Sequence, residues 1–163
     1  AFGARRSGAI ERTCGMADIL YDSYNIQKGD IMIITSNSGR NAMPIEMAMR
    51  CKKEGVYVVA LTNVAQSSGT TSRHPSGKKL YELADTVIDT CAPDGDALMN
   101  IDGILTGPAS SIVCMMLLDT IVTEAIKLVV ADGKRPYVFQ SQNVDGANNE
   151  ALYKHFEGRV KHF

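Results

Sequence analysis

Three short apolar runs, rich in β-branched residues, lie in the first part of the chain. They occupy residues 31–35, 56–62 and 86–89. The first two runs are continuous rather than alternating, which is typical of strands that are covered on both faces, as in a parallel sheet. The pattern therefore predicts three neighbouring parallel strands.

Helical periodicity flanks and separates these runs. It predicts helices over residues 8–24, 43–54, 78–84 and 110–131, and a short helix at 150–156 that follows a short strand at 137–139. Gly55 and Gly133 directly follow two of these segments, where glycine commonly ends a helix. The alternation of strands and helices predicts an α/β three-layer sandwich with a parallel sheet, doubly wound in the flavodoxin-like manner.

The length and composition fit one domain. The chain has 163 residues, of which 45% are hydrophobic and 21% charged, which is ordinary for a globular domain and excludes a disordered or coiled-coil protein. The most apolar stretch, residues 112–118, is too short to span a bilayer. Only three clear strands follow an opening helix, so we expect a single domain over 1–163 that lacks its first strand–helix units.

Charge and cysteine content exclude two further classes. Seventeen basic and eighteen acidic residues give a net charge of −1, so the basic excess of a nucleic-acid-binding protein is missing. Four cysteines at positions 14, 51, 91 and 114 form no CxxC pair, which argues against a zinc framework. We therefore expect free thiols, no metal and no cofactor, and a cytoplasmic location.

The strongest candidate for chemistry is a polar turn between the first strand and the following helix. It consists of Ser36, Asn37, Ser38, Gly39, Arg40 and Asn41. Glycine permits a tight turn, unpaired N–H groups at the helix start attract anions, and the polar side chains supply further hydrogen bonds. Such a turn at the carboxyl end of a parallel strand predicts phosphate binding. The alternative, that these residues only form the turn and cap the helix, stays open.

Two other segments carry candidate residues. In the loop 72–79, Arg73 is suited to clamping a phosphate and His74 to moving a proton near neutral pH. Ser110 and Ser111 precede the long helix, where they could contact an anion or simply cap the helix. Neither GxGxxG nor GxSxG nor a complete P-loop occurs, which argues against a dinucleotide-binding fold, an α/β-hydrolase and a P-loop enzyme.

The segment SNSGRN followed by MPIEMAMRCKKEGVYVVALT resembles the centre of a sugar isomerase (SIS) domain. The later segments SRHPSGKKLYELADTVID and GPASSIVCMMLLDTIVTEA resemble a bacterial subgroup labelled phosphosugar isomerase or phosphoheptose isomerase-like. The resemblance implies that Ser36, Ser38 and Gly39 hold phosphate and that Ser110 or Ser111 adds a contact. Asn41 departs from the family pattern, which has threonine or serine there.

The resemblance implies binding of a phosphorylated sugar and aldose–ketose isomerisation by proton transfer. His74 and Glu11 are the candidates for the base and the acid. Two alternatives remain: a sensor that binds the same ligand without catalysis, and a sugar-phosphate lyase or etherase. The helix 110–131 has apolar residues on more than one face, and SIS domains commonly pair, so we expect a homodimer or higher homo-oligomer.

Overall fold

Three parallel strands form the sheet that the apolar runs predict. In the computed structural model, which describes residues 3–161 without the side chain of residue 4, β1 is Ile31–Thr35, β2 is Tyr57–Thr62 and β3 is Thr86–Asp89. The sheet order is β1-β2-β3, with Ile31 opposite Tyr57 and Val59 opposite Thr86. The expected parallel α/β fold of flavodoxin-like type is confirmed.

Seven helices and a hairpin complete the described residues. The helices are α1 (Gly3–Glu11), α2 (Met16–Asp22), α3 (Ala42–Glu54), α4 (Val64–Ser68), α5 (Leu80–Leu83), α6 (Ala109–Ala131) and α7 (Glu150–Phe156). The hairpin pairs β4 (Ala97–Ile101) with β5 (Ile104–Pro108) in antiparallel fashion, after a 3₁₀ turn at Asp94–Asp96. The predicted helices at 43–54, 110–131 and 150–156 are confirmed, and the one at 78–84 is shortened to α5.

Two predictions along the chain are wrong. The helix expected over 8–24 is broken, because Gly15 adopts a left-handed conformation with φ of 86° and separates α1 from α2. The strand expected at 137–139 is irregular backbone. The next residue, Gln140, donates its N–H to Asn149 Oδ1 at 2.9 Å. The backbone at this point therefore bonds a side chain and not a neighbouring strand.

The core of the sheet lies around β2. Val58, Ala60 and Leu61 are fully buried, as are Ile45 and other residues on one face of α3. Burying a side chain the size of isoleucine or leucine contributes about 1.5–3 kcal/mol relative to leaving it exposed. This packing fixes α3 against the sheet, and α3 begins where the polar turn 36–41 ends.

The described residues form two compact units, which divide between residues 116 and 117 inside α6. The first contains the parallel sheet and the hairpin. In the second, Tyr137 stacks on His155 of α7 with ring centroids 4.3 Å apart. The expectation of a single domain over 1–163 stays a prediction, and its two terminal residues at each end lie outside the described part. Within 3–161, no helix is long and apolar enough to cross a membrane.

Asp85 makes the stability of the first unit depend on pH. Its carboxylate bonds the Lys52 ammonium and accepts the Val58 N–H at 2.8 Å, and these contacts hold the pKa of Asp85 below its ordinary value. A lowered pKa stabilises the fold above the ordinary aspartate range, and that stability is lost as pH falls through the lowered value.

We therefore expect Asp85→Asn to lower the melting temperature by a few degrees at pH 7, and the gap to wild type to close below about pH 4. Thermal denaturation followed by circular dichroism across pH measures it. Asp132→Asn, which removes an exposed ion pair with Lys134, is the control and should change little. A gap that stays constant down to acid pH would contradict the assignment.

Candidate functional site

The turn 36–41 is fastened to the end of β2 by backbone hydrogen bonds. Ser36 N–H donates to Leu61 O at 3.0 Å, and Asn63 N–H donates to Asn37 O at 3.0 Å. Inside the turn, Gly39 N–H donates to Ser36 Oγ at 3.3 Å. The turn therefore has a fixed shape at the carboxyl edge of the sheet, next to the start of α3.

The side chains of Asn37 and Arg40 hold that shape. Asn37 Nδ2 donates to Gln66 Oε1 at 2.8 Å, and its Oδ1 accepts from Thr90 Oγ1 at 3.3 Å. Arg40 Nη2 donates to Thr71 Oγ1 at 3.3 Å. The structure thus gives these two predicted ligand residues bonds within the protein, whereas no described residue hydrogen-bonds the hydroxyl of the half-buried Ser38.

The first turn of α3 has no side-chain cap. Asn41 occupies the N-cap position and is 5% exposed, but its Oδ1 accepts from Arg73 Nη1 at 3.1 Å instead of capping the helix. The backbone of Arg73 also donates to Arg40 O at 2.8 Å. The start of a 13-residue helix, with its positive dipole end and unpaired N–H groups, thus lies beside a guanidinium, and this arrangement can hold an anion.

His74 lies against a carboxylate that the sequence did not single out for catalysis. Its Nε2 is 3.3 Å from Glu46 Oε1, and the two side chains are only 12% and 16% exposed. Glu46 Oε2 accepts the Gly15 N–H at 2.7 Å, while His74 Nδ1 is 2.8 Å from Ser76 Oγ. Each side chain is therefore oriented by a hydrogen bond to the atom that faces away from its partner. The pair can share or transfer a proton.

Cys14 is the third side chain of this cluster. Cys14, Glu46 and His74 each offer one ligand atom, and the three atoms all lie within 4.8 Å of one another. Desolvation, together with a hydrogen bond to Glu46 and its negative charge, raises the pKa of Cys14. The thiol therefore stays protonated near neutral pH and is not an activated nucleophile.

The structure pairs His74 with Glu46 rather than with Glu11, the expected partner. Glu11 instead lines a cavity of about 380 Å³ with Ser36 and Met43. Sequence reasoning placed Glu46 on a predicted helix without a role, because surface or ion-pair contacts are the default for such a residue. No local motif connects position 46 with position 74, so only the fold shows the pair.

Ser110 is hydrogen-bonded to a carboxylate and not to the turn 36–41. Its N–H and Oγ both donate to the Asp96 carboxylate, at 2.5 and 2.9 Å, and Ser111 is exposed. A carboxylate at this position would repel a phosphate. Among the described contacts none connects either serine with the turn 36–41, so their role as sugar-phosphate contacts stays a prediction.

The segment that contains the turn 36–41 matches the model of a known protein family. The model of the SIS domain matches residues 1–63, which include β1, the turn 36–41, α3 and β2. The resemblance to a SIS domain inferred from the sequence is confirmed.

The similar proteins are UPF0309 proteins. One from Oceanobacillus iheyensis is 41% identical over 160 residues, which cover 95% of this chain and 65% of that protein. One from Caldanaerobacter subterraneus subsp. tengcongensis is 37% identical over 166 residues, covering 98% and 68% respectively. The chain belongs to the UPF0309 family of SIS-domain proteins, and it spans about two thirds of the length of these relatives.

Proposed function

We propose that this chain binds a sugar phosphate at the turn 36–41 and takes part in aldose–ketose isomerisation of that ligand. The observation that carries the proposal is the position of the largely buried His74–Glu46 pair near the turn. Glu46 lies on α3, which begins where the turn ends, and His74 directly follows Arg73, which bonds Asn41 of the turn. Glu46 lies five residues after Asn41, about 7.5 Å along α3. A phosphate held at the helix start thus leaves the sugar carbons within reach of the pair.

The phosphate half of the site is a set of donors. These are the uncapped N–H groups of α3, the Ser38 hydroxyl and the Arg73 guanidinium, which also bonds Asn41 Oδ1. Charge-assisted hydrogen bonds to phosphate are shorter and stronger than neutral ones, which favours a phosphate ester over a neutral sugar.

The proton-transfer half is the His74–Glu46 pair. Isomerisation requires removal of a proton from the carbon beside the carbonyl, and its return to the former carbonyl carbon, through an enediol. One side chain of the pair takes that proton while the other donates a proton to the carbonyl oxygen. The hydroxyl oxygen then returns a proton to the second side chain as the first gives its proton to the former carbonyl carbon, so protons and charge balance over the cycle. Hydrogen bonds with Ser76 Oγ and the Gly15 N–H hold the two side chains in position while the proton moves.

Incubation with a panel of sugar phosphates, followed by product analysis, tests the activity. Isomerised product supports the proposal. A cleaved product would establish a lyase or etherase, and ligand that binds unchanged would establish a sensor, so either result overturns isomerisation.

The four cysteines are unpaired, which fits action in the reducing cytoplasm.

Ser38→Ala tests the phosphate half by itself. We expect it to weaken sugar-phosphate binding by about 1–3 kcal/mol, because a hydrogen bond to a charged group is lost. Titration calorimetry measures the affinity, and Ser23→Ala, whose hydroxyl bonds Leu20 O on α2, is the matched control. The unphosphorylated sugar should bind far more weakly. Equal affinity of Ser38→Ala and wild type would remove this hydroxyl from the site.

We also propose that the chain associates into a homodimer through α6. Apolar residues along this helix are exposed, among them Ile112, Met115 and Met116 at 60% each and Leu128 at 71%. Such residues are usually covered by another surface. Light scattering at micromolar concentration should give twice the mass of one chain. A monomeric mass that persists at high concentration would contradict the dimer.

A further inference from the structure

Three distant segments bring a sulfur, an oxygen and a nitrogen to one point. Cys14 lies between α1 and α2, Glu46 lies on α3, and His74 lies in the loop that leads to α5. One ligand atom from each falls within 4.8 Å of the other two, and the His74 Nε2 to Glu46 Oε1 distance is 3.3 Å. In a tetrahedral zinc site, with bonds of about 2.0–2.3 Å, neighbouring ligand atoms lie roughly 3.3–3.7 Å apart. The pair already has that separation.

Contacts around the three side chains are those that a metal site requires. A ligating histidine usually bonds a polar group through its other ring nitrogen, and a ligating carboxylate is itself hydrogen-bonded. His74 Nδ1 lies 2.8 Å from Ser76 Oγ, which can accept its N–H when Nε2 binds a metal. The Gly15 N–H holds Glu46 Oε2 at 2.7 Å and leaves Oε1 facing His74.

The donor set selects the ion. Magnesium and calcium take oxygen ligands, whereas thiolate, imidazole and carboxylate together suit zinc. Cys14 is exposed while the other two side chains are largely buried, so the cluster is open to solvent on the sulfur side. We propose that Cys14, Glu46 and His74 bind Zn²⁺, with the thiol proton of Cys14 released to solvent and the fourth coordination position left to water or a small ligand.

Zinc at this point uses the two side chains that the proposed proton transfer needs. The imidazole nitrogen that binds zinc has no free lone pair for a proton from a substrate carbon, so zinc binding and the proposed proton transfer compete for His74 Nε2. The metal site itself rests on the geometry of three side chains and does not depend on the proposed function.

Titration of ZnCl₂ into the chelator-stripped, reduced chain, without any sugar phosphate, tests the site. We expect one Zn²⁺ per chain by calorimetry, and a thiolate-to-metal charge-transfer band when Co²⁺ replaces it. Cys14→Ser should weaken zinc binding at least about tenfold and abolish the band, and Ser76→Ala should weaken it by about tenfold. Cys91→Ser removes another exposed thiol and is the matched control, expected to bind like wild type.

Cys14 lies in an exposed turn, so Cys14→Ser is expected to fold, and circular dichroism checks this. Absence of stoichiometric zinc binding in wild type overturns the proposal. Equal weakening by Cys91→Ser also overturns it, because binding would then be a general property of exposed thiols. Because Ser38→Ala and sugar phosphates play no part here, failure of the zinc site and failure of the sugar-phosphate site are separate results.

Discussion

Replacing His74 by glutamine is expected to lower the kcat for isomerisation by about 10²–10⁴-fold, the usual contribution of a positioned acid–base group. Glutamine keeps a polar side chain in the pocket but cannot exchange a proton near neutral pH. Glu46→Gln should reduce kcat in the same range, because His74 loses the carboxylate 3.3 Å from its Nε2. Steady-state rates with the sugar phosphate identified by product analysis measure both effects.

The kinetic constants separate catalysis from binding. In the proposed site the turn holds the phosphate and the pair does not, so KM should change much less than kcat in His74→Gln. His155→Gln replaces a histidine of α7 in the second unit and should leave kcat unchanged. A His74→Gln protein that keeps wild-type kcat would exclude the pair from catalysis.

Gly39→Ala is expected to lower the free energy of unfolding by about 2–4 kcal/mol, through backbone strain and overpacking together. Gly39 has φ of 56°, a left-handed conformation that side chains with a Cβ adopt at a cost. A Cβ there would lie 2.9 Å from Ser67 Oγ and 3.0 Å from Thr62 Oγ1. Both neighbours are fully buried, so neither can move aside easily. Denaturant unfolding gives the value.

Gly77→Ala is the matched control for that effect. Gly77 also has a left-handed φ, of 70°, but a Cβ there would meet nothing within 4 Å. It should cost only the backbone strain, about 1 kcal/mol. If the two variants lose the same stability, the close contacts beneath the turn do not matter, and the turn is more adaptable than its packing indicates.

Continuous apolar runs predict β1 and β2. Most of β2 is buried, as such a run indicates, whereas Ile31 and Ile33 of β1 are exposed. Gly55 marks the end of α3 for an equally local reason: its left-handed φ of 75° lets its N–H bond the last carbonyls of the helix. The hairpin β4–β5 was not predicted, although the sequence also contains a local signal for it. Asp102 and Gly103, both with positive φ, separate two apolar runs, which is a strong short-range mark of a hairpin.

One part of the candidate site is predicted by the local sequence, and the other part is not. The turn 36–41 is contiguous in sequence, so its polar and glycine residues predict it directly. The cluster of Cys14, Glu46 and His74 is not contiguous, and each member by itself is an ordinary surface residue. Gly15, which breaks the expected first helix, is what brings Cys14 toward Glu46, since its own N–H bonds that carboxylate. The wrong prediction of one continuous helix over 8–24 therefore hid the bond of Gly15 to Glu46 and the position of Cys14 near Glu46 and His74.

The position of β1 at the border of the sheet has a consequence for handling the chain in solution. Among the described strands β1 pairs only with β2, and Ile31 and Ile33 on it are 65% and 37% exposed. A strand with a free row of backbone donors and acceptors and apolar side chains is a template for adding a strand from another molecule. We therefore expect concentrated samples to aggregate edge to edge, and a lysine at position 33 to oppose this by placing charge on that border.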